Sequence, residues 1–177
     1  MLFRSRPPPR RHTAARAAMD ADVAHLADLR VRLEGGDGTG EALCSRAQLY
    51  AVSPLMRKVL GPECGLKRDA DGLLVLPLAN AQFQCVAMHD ALALIHHGRP
   101  PLVAERRIAA LGPIDWLGLR SPAVDLLSKA ATEDVVRSLD GADAAQRLAL
   151  LRSMPETTLR ALPSAAVAAF FAHAKDA

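Results

Sequence analysis

Leu29, Val31 and Leu33 alternate with Arg30 and Arg32, the two-residue period of a strand with one buried face. The run Glu34-Gly35-Gly36-Asp37-Gly38-Thr39-Gly40 follows, rich in residues that tolerate positive φ, as a hairpin turn demands. Residues 41–44 are the expected returning strand. Residues 46–52 have room for two helical turns. Ser53-Pro54 then reads as an N-cap with a first-turn proline, whose missing donor costs nothing there. Leu55, Met56, Val59 and Leu60 give this short helix an apolar side, and Gly61-Pro62 ends it. Residues 63–72 are polar and turn-like. Leu74, Leu76 and Leu78 mark a third short strand, which Pro77 assigns to an edge because proline cannot donate to a ladder.

Helical spacing takes over downstream. Asn80 is the expected cap of a helix that runs to His97 and stops at Gly98. Phe83, Ala87, Ala91 and Leu94 form its stripe, flanked by Val86, Leu92 and Ile95, with Gln82, Gln84, His89 and Asp90 on the wet side. After the linker Arg99-Pro100-Pro101, residues 103–111 predict another helix that Gly112-Pro113 breaks, leaving 114–119 as a turn. Ser121-Pro122 repeats the cap-plus-proline device for a helix with Val124, Leu127 and Ala131 inward, and Thr132 is positioned to recap it for Val135 and Leu139. Asp140-Gly141 breaks again, and Asp143 caps a helix with Leu148, Leu151 and Met154 on one side. Beyond Pro155 and Pro163, Val167, Phe170, Phe171 and Ala174 fall at i, i+3, i+4 and i+7. Packing against Leu159 and Leu162 and a partner groove are both open to that stripe.

The order of elements predicts a small α+β domain: a short three-stranded sheet covered by helices, with an all-helical extension. The divisions fall at residues 1–18, 19–139 and 140–177. Composition agrees. Ala (34) and Leu (27) favour helices, and aromatics at 3% disfavour an aromatic-rich barrel or sandwich.

Charge changes the picture at one end. Residues 1–18 carry Arg4, Arg6, Arg10, Arg11 and Arg16 and no acid, so the other 159 residues hold 17 basic and 19 acidic groups, a net of −2. The basic pI therefore belongs to a tail, and a nucleic-acid-binding surface on the folded part is not expected. The tail is either a solvated segment or a targeting signal, although Pro7-Pro8-Pro9 would break the amphipathic helix of a transit peptide. No apolar run reaches the roughly 20 residues of a membrane span.

Catalytic chemistry is sparse. Cys44, Cys64 and Cys85 are odd in number and far apart, which argues against a disulfide framework and for a reducing compartment, the cytoplasm or nucleus. Cys44 and Cys85 sit in apolar patterns as core residues. His89 and His96 share a helix face about 10.5 Å apart along the axis, too far for one metal without other ligands. His96-His97 read as a solvated helix end. No helix-opening Gly-Lys-Ser/Thr follows the glycine run, so it is not a phosphate cradle. The expectation is a protein that is not an enzyme and needs no cofactor or metal.

Several segments, taken in order, resemble the BTB/POZ superfamily, which includes the Skp-type adaptors and elongin C. Leu26-Ala27-Asp28-Leu29-Arg30-Val31 is similar to its opening strand, and Leu49-Tyr50-Ala51-Val52-Ser53-Pro54-Leu55-Met56-Arg57-Lys58-Val59-Leu60 to its "L-A-A-x-S-P-x-F-x-x-M-F" segment. Leu74-Val75-Leu76-Pro77-Leu78 resembles its third strand, Phe83 to Gly98 its following helix, and Ile108 to Leu127 the next helical stretch. Val31-Arg32-Leu33-Glu34-Gly35-Gly36-Asp37-Gly38 is similar to the Skp and elongin C hairpin. The resemblance spans about residues 26–139. Departures are the loss of the family's His at Cys44-Ser45-Arg46, the short link at 98–102 in place of an acidic insertion, the Gly112-Pro113 pair, the lack of a hydrophobic-x-Glu cullin motif near Leu60-Gly61-Pro62, and a C-terminal segment from Pro155 onward that is unlike a Skp tail.

What the resemblance implies is protein–protein recognition: an adaptor bridging a cullin scaffold to a substrate receptor in a ubiquitin ligase. Asp115 and Trp116 match the turn that touches the cullin in Skp adaptors, while Leu148, Leu151 and Met154 match the helix that receives an F-box-like partner. Trp116 packing in the core is the competing reading. The alternative function is a BTB-type homodimerisation module with no ubiquitin role, pairing through the N-terminal helix and first strand.

Overall fold

A computed structural model describes residues 26–140, 142–154 and 156–171. The expected tail, nearly all of the short helix-compatible stretch 19–26 that the N-terminal helix would occupy, and Ala174 lie outside the described residues.

Strands β1 (Leu29–Gly35) and β2 (Gly38–Cys44) form an antiparallel hairpin around the two-residue loop Gly36-Asp37, in register Leu29↔Cys44 to Gly35↔Gly38. Helices α1 (Arg46–Val52) and α2 (Pro54–Val59) and a 3-10 turn (Pro62–Cys64) carry the chain to β3 (Leu74–Asn80). This strand pairs in parallel with β1, giving a mixed sheet of order β2-β1-β3. Pro77 lies in a strand at the sheet's edge, as its missing donor requires. The helices follow: α3 (Cys85–His97), α4 (Ala104–Trp116), α5 (Pro122–Leu139), α6 (Ala144–Ser153), α7 (Glu156–Ala161) and α8 (Ser164–Phe171).

The alternation in β1 does what its period predicts. Leu29, Val31 and Leu33 are buried, joined by Ala42, Cys44 and Leu76 from the neighbouring strands. Arg30 and Arg32 stand on the outer face, where Arg30 pairs with Asp71 at 2.8 Å and Asp69 at 3.2 Å and so fastens the 69–71 loop to the sheet. Helices α3, α4 and α5 supply most of the remaining core, including Met88, Leu92, Leu94, Ile114, Leu127 and Val135. The extension shares it through Leu162, Ala166 and Phe170. The segments that carry the BTB/POZ resemblance therefore fold in the order it implies, as a small mixed sheet under a helical layer.

The glycine run works by close approach. A Cβ on Gly35 would lie 2.6 Å from the Cys85 amide nitrogen and 2.7 Å from the Phe83 carbonyl oxygen, and one on Gly40 would lie 2.7 Å from the Cys85 sulfur. With no side chains in the way, the Gly36 amide donates to the Phe83 carbonyl at 2.8 Å. The Asp37 carboxylate accepts from the Cys85 amide at 2.5 Å. The hairpin tip thus seats the N-terminus of α3.

Several local expectations are corrected. Asn80 does not cap α3: it ends β3, and its side chain accepts from the Gln82 amide, while Asp37 caps the helix from the hairpin tip. Gly112-Pro113 does not break α4, which runs on to Trp116 and stops before Gly118 at φ 62°. Proline removes a single backbone bond there, and Gly112 sits where a Cβ would meet the Phe83 ring at 3.0 Å, so packing holds the helix through the pair. Thr132 does not restart α5. Its hydroxyl donates to the Ser128 carbonyl inside one continuous 18-residue helix. Asp90 is buried, with the guanidinium of Arg106 across both its oxygens, and Val86 is exposed instead. His96 is also buried rather than solvated, its Nδ1 3.1 Å from the Gln48 Oε1 of α1.

Candidate interaction surface

The paired residues Asp115 and Trp116 occupy the last turn of α4. Ser53 fixes that end from the other side: its buried hydroxyl donates to the Leu117 carbonyl at 2.5 Å and accepts from the Met56 amide at 3.0 Å. The Arg120 amide adds a bond to the Val52 carbonyl at 2.8 Å. The cap that starts α2 therefore also locks the end of α4. On this rigid base Asp115 is exposed and Trp116 is half-buried. The indole ring centroid lies 5.6 Å from that of Phe83, tilted by 47°, within the range of a favourable aromatic pair. One face of Trp116 thus belongs to the core, and part of the ring stays open beside a free carboxylate.

Leu148, Leu151 and Met154 separate. Asp143 and Gln146 form a capping box that starts α6. From there Leu151 and Met154 pack in part against the core, whereas Leu148 is exposed. These three residues and the Asp115–Trp116 turn are on different elements, and neither group includes a titratable cluster.

Two apolar regions carried no sequence signal of their own. Leu102 is 90% exposed in the link before α4, with Val103 beside it also exposed. Leu102 does not hang on a loose loop: Arg107 Nη1 donates to the Pro101 carbonyl at 2.9 Å and the Leu102 carbonyl at 2.7 Å. The second region is a cleft of about 640 Å³ between α5 and α8, lined by Val136, Leu139 and Ala169 with Glu133, Arg137 and Asp140. On α8, Phe170 is buried and Val167 and Phe171 face outward, so the expected stripe divides between the core and the surface.

The perturbed groups are structural. Arg107 donates to both oxygens of the buried Asp134 and holds its carboxyl below the usual range. Burial pushes the Cys44 thiol up to about 12, and burial followed by the nearby Asp37 charge raises that of Cys85. Among the described residues no group of three or more His, Cys, Asp or Glu is placed to hold a metal ion. No helix among them is long and apolar enough to cross a membrane.

No protein-family profile matches the chain, and no curated protein matches it. Among solved structures it is similar to the BTB (Tramtrack and Bric a brac) domain of human gigaxonin, at 20% sequence identity and a TM-score of 0.38, over 75% of this chain and 97% of that one.

Proposed function

We propose that the chain is a protein-interaction module of the BTB/Skp type, without catalytic activity, that bridges a cullin scaffold to a substrate receptor in the cytoplasm or nucleus. The topology carries this reading: a hairpin whose first strand pairs in parallel with a third strand, reached through two short helices and followed by a helical layer. That is the order of elements the BTB/POZ resemblance implies. The surface supports it as well. Asp115 is exposed beside a half-covered Trp116 on a turn locked by Ser53, and a rigid aromatic at a fixed edge is a suitable anchor for an interface. Leu148 stands exposed on α6 for a receptor helix.

The test combines mass with binding. Light scattering of the purified chain should give the monomer mass of 18.9 kDa, since adaptors of this type work as single copies; a dimer would favour the self-assembly module instead. A purified cullin should bind wild type, and Asp115→Arg and Trp116→Ala should each weaken binding at least about tenfold, a loss of roughly 1.4 kcal/mol. Asp115 is exposed, so the first variant leaves the core intact. Undiminished cullin binding by both variants removes this site assignment, and no binding by wild type removes the scaffold role.

A further inference from the structure

Helix α4 ends on a charge that opposes its own backbone. The C-terminal turn of a helix carries partial negative charge and favours a cation. Among the described helices of ten residues or more, α3 places His96 and His97 there, α5 places Arg137 and α6 places Arg152. The last turn of α4 holds no base and carries Asp115 instead. Asp115 is exposed and joins none of the ion pairs of the described residues. The nearest base along the chain, Arg120, turns its Nη1 to the Leu119 carbonyl at 3.2 Å.

The position is nonetheless held firmly. The Gly118 amide donates to the Asp115 carbonyl and the Leu119 amide to the Ile114 carbonyl, both at 3.0 Å, and the Ser53 hydroxyl holds the Leu117 carbonyl. The same serine brings the start of α2 alongside: Pro54 Cδ stands 3.8 Å from where a Cβ on Gly118 would lie, and Pro54 and Leu55 are exposed. The end of α4 thus presents a carboxylate, the open part of an indole and an apolar step on one rigid frame. Successive helix residues project about 100° apart. A group that reaches both Asp115 and Trp116 therefore lies over the helix end, where the dipole adds to the carboxylate charge.

We propose that this helix end receives an arginine of the protein partner. The guanidinium stacks on the open part of the Trp116 ring and donates to the Asp115 carboxylate, while an aliphatic neighbour of that arginine rests on Pro54 and Leu55. Guanidinium suits the site better than ammonium because it is planar, stacks on aromatic faces and has donors enough for both carboxylate oxygens. An acidic segment or a phosphate backbone is repelled by the same carboxylate. The inference rests on the interaction-module reading above and names what the partner brings to it, whether or not that partner is a cullin.

Trp116 is the one tryptophan of the chain, so its fluorescence reports on this site alone. The full wild-type chain is titrated with an acetylated and amidated Leu-Arg-Leu peptide, and with the same peptide carrying citrulline, which keeps the shape of arginine and loses its charge. The arginine peptide should change the emission saturably and bind at least about fivefold more tightly than the citrulline peptide. In Asp115→Asn the two peptides should bind alike. That variant should melt no lower than wild type and up to about 3 °C higher, because it removes a charge that opposes the dipole. Equal binding of the two peptides by wild type, binding of neither, or an arginine preference that persists in Asp115→Asn would each overturn the inference. A variant that melts below wild type would do so too, by giving Asp115 a structural role. A cullin that fails to bind a chain passing this test removes the scaffold role and leaves the arginine site; a cullin that binds a chain indifferent to arginine does the reverse.

Discussion

Arg107 holds Asp134 by both carboxylate oxygens, with Nε 2.6 Å from Oδ2 and Nη2 2.9 Å from Oδ1. The same guanidinium reaches the Pro101 and Leu102 carbonyls through Nη1. One side chain therefore fixes α4 to α5 and sets the link that precedes α4. Removing one partner of a buried pair leaves the other charge uncompensated, so Asp134→Ala should destabilise by about 3 kcal/mol. In a chain of this size that lowers the melting temperature by about 6–12 °C. The double variant Arg107→Met/Asp134→Leu, which removes both charges and keeps apolar volume, should recover most of the loss. Thermal denaturation of the two variants and wild type measures the difference.

The same pair sets an acid dependence. The hydrogen bond from Arg107 is the largest influence on Asp134, and with the charges of Arg107 and Arg137 it outweighs desolvation and lowers the carboxyl from its ordinary value of 3.8. The native state thus binds its proton less readily than the unfolded chain. The pair's stabilisation is complete above the ordinary value and is lost as pH falls below 4 towards the depressed one. Wild type should lose stability through that window. Asp134→Asn should start lower at pH 7 and converge on wild type as pH falls, which urea titrations at pH 7, 4 and 3 would record. A constant gap between the two proteins at all three values would contradict the assignment.

Features written in local periodicity were legible in the sequence. Leu29, Val31 and Leu33 announce a half-buried strand because a period of two fits little else, and Ser53, Ser121 and Asp143 announce helix starts because their side chains bond within three residues. What failed depends on distant partners. Asp90 reads as solvent-facing until Arg106, 16 residues on, closes over it. The cap of α3 comes from Asp37, 48 residues earlier, so a local search settles on Asn80 instead. Gly112-Pro113 has the local chemistry of a helix break, and packing against Phe83 overrides it. Of the candidate surface, Asp115 and Leu148 are exposed as an interface needs, but Trp116, Leu151 and Met154 are shared with the core, because an apolar residue on an amphipathic face carries no mark of which neighbour covers it.

Burial sets the order in which the cysteines react. Cys64 is exposed, Cys85 is half-buried with its thiol raised by burial and by Asp37, and Cys44 is buried with its thiol at about 12. Only the thiolate attacks an alkylating reagent. At pH 8 iodoacetamide should modify Cys64 first, Cys85 more slowly, and Cys44 slower than Cys64 by at least about a hundredfold until the protein is unfolded. Peptide mapping by mass spectrometry over time gives the three rates. Labelling of Cys44 in the native protein at the rate of Cys64 would contradict its place beneath the sheet.

The glycines of the hairpin separate two kinds of obstruction. At Gly35 an added methyl meets the Cys85 amide nitrogen and the Phe83 carbonyl, both backbone, at 2.6 and 2.7 Å. At Gly40 it meets only the Cys85 sulfur, at 2.7 Å. Gly35→Ala must push the hairpin tip off α3, lengthening the bonds from Gly36 to Phe83 and from Cys85 to Asp37, and should cost about 2 kcal/mol, in the range of overpacking. Gly40→Ala can be relieved by removing the sulfur. Cys85→Ala should therefore rescue Gly40→Ala nearly to the stability of Cys85→Ala alone and leave Gly35→Ala unrescued. Chemical denaturation of the three single and two double variants closes both cycles. Equal rescue at the two positions would mean that the tip does not rest on the α3 backbone, and with it would go the account of why this turn is built from glycine.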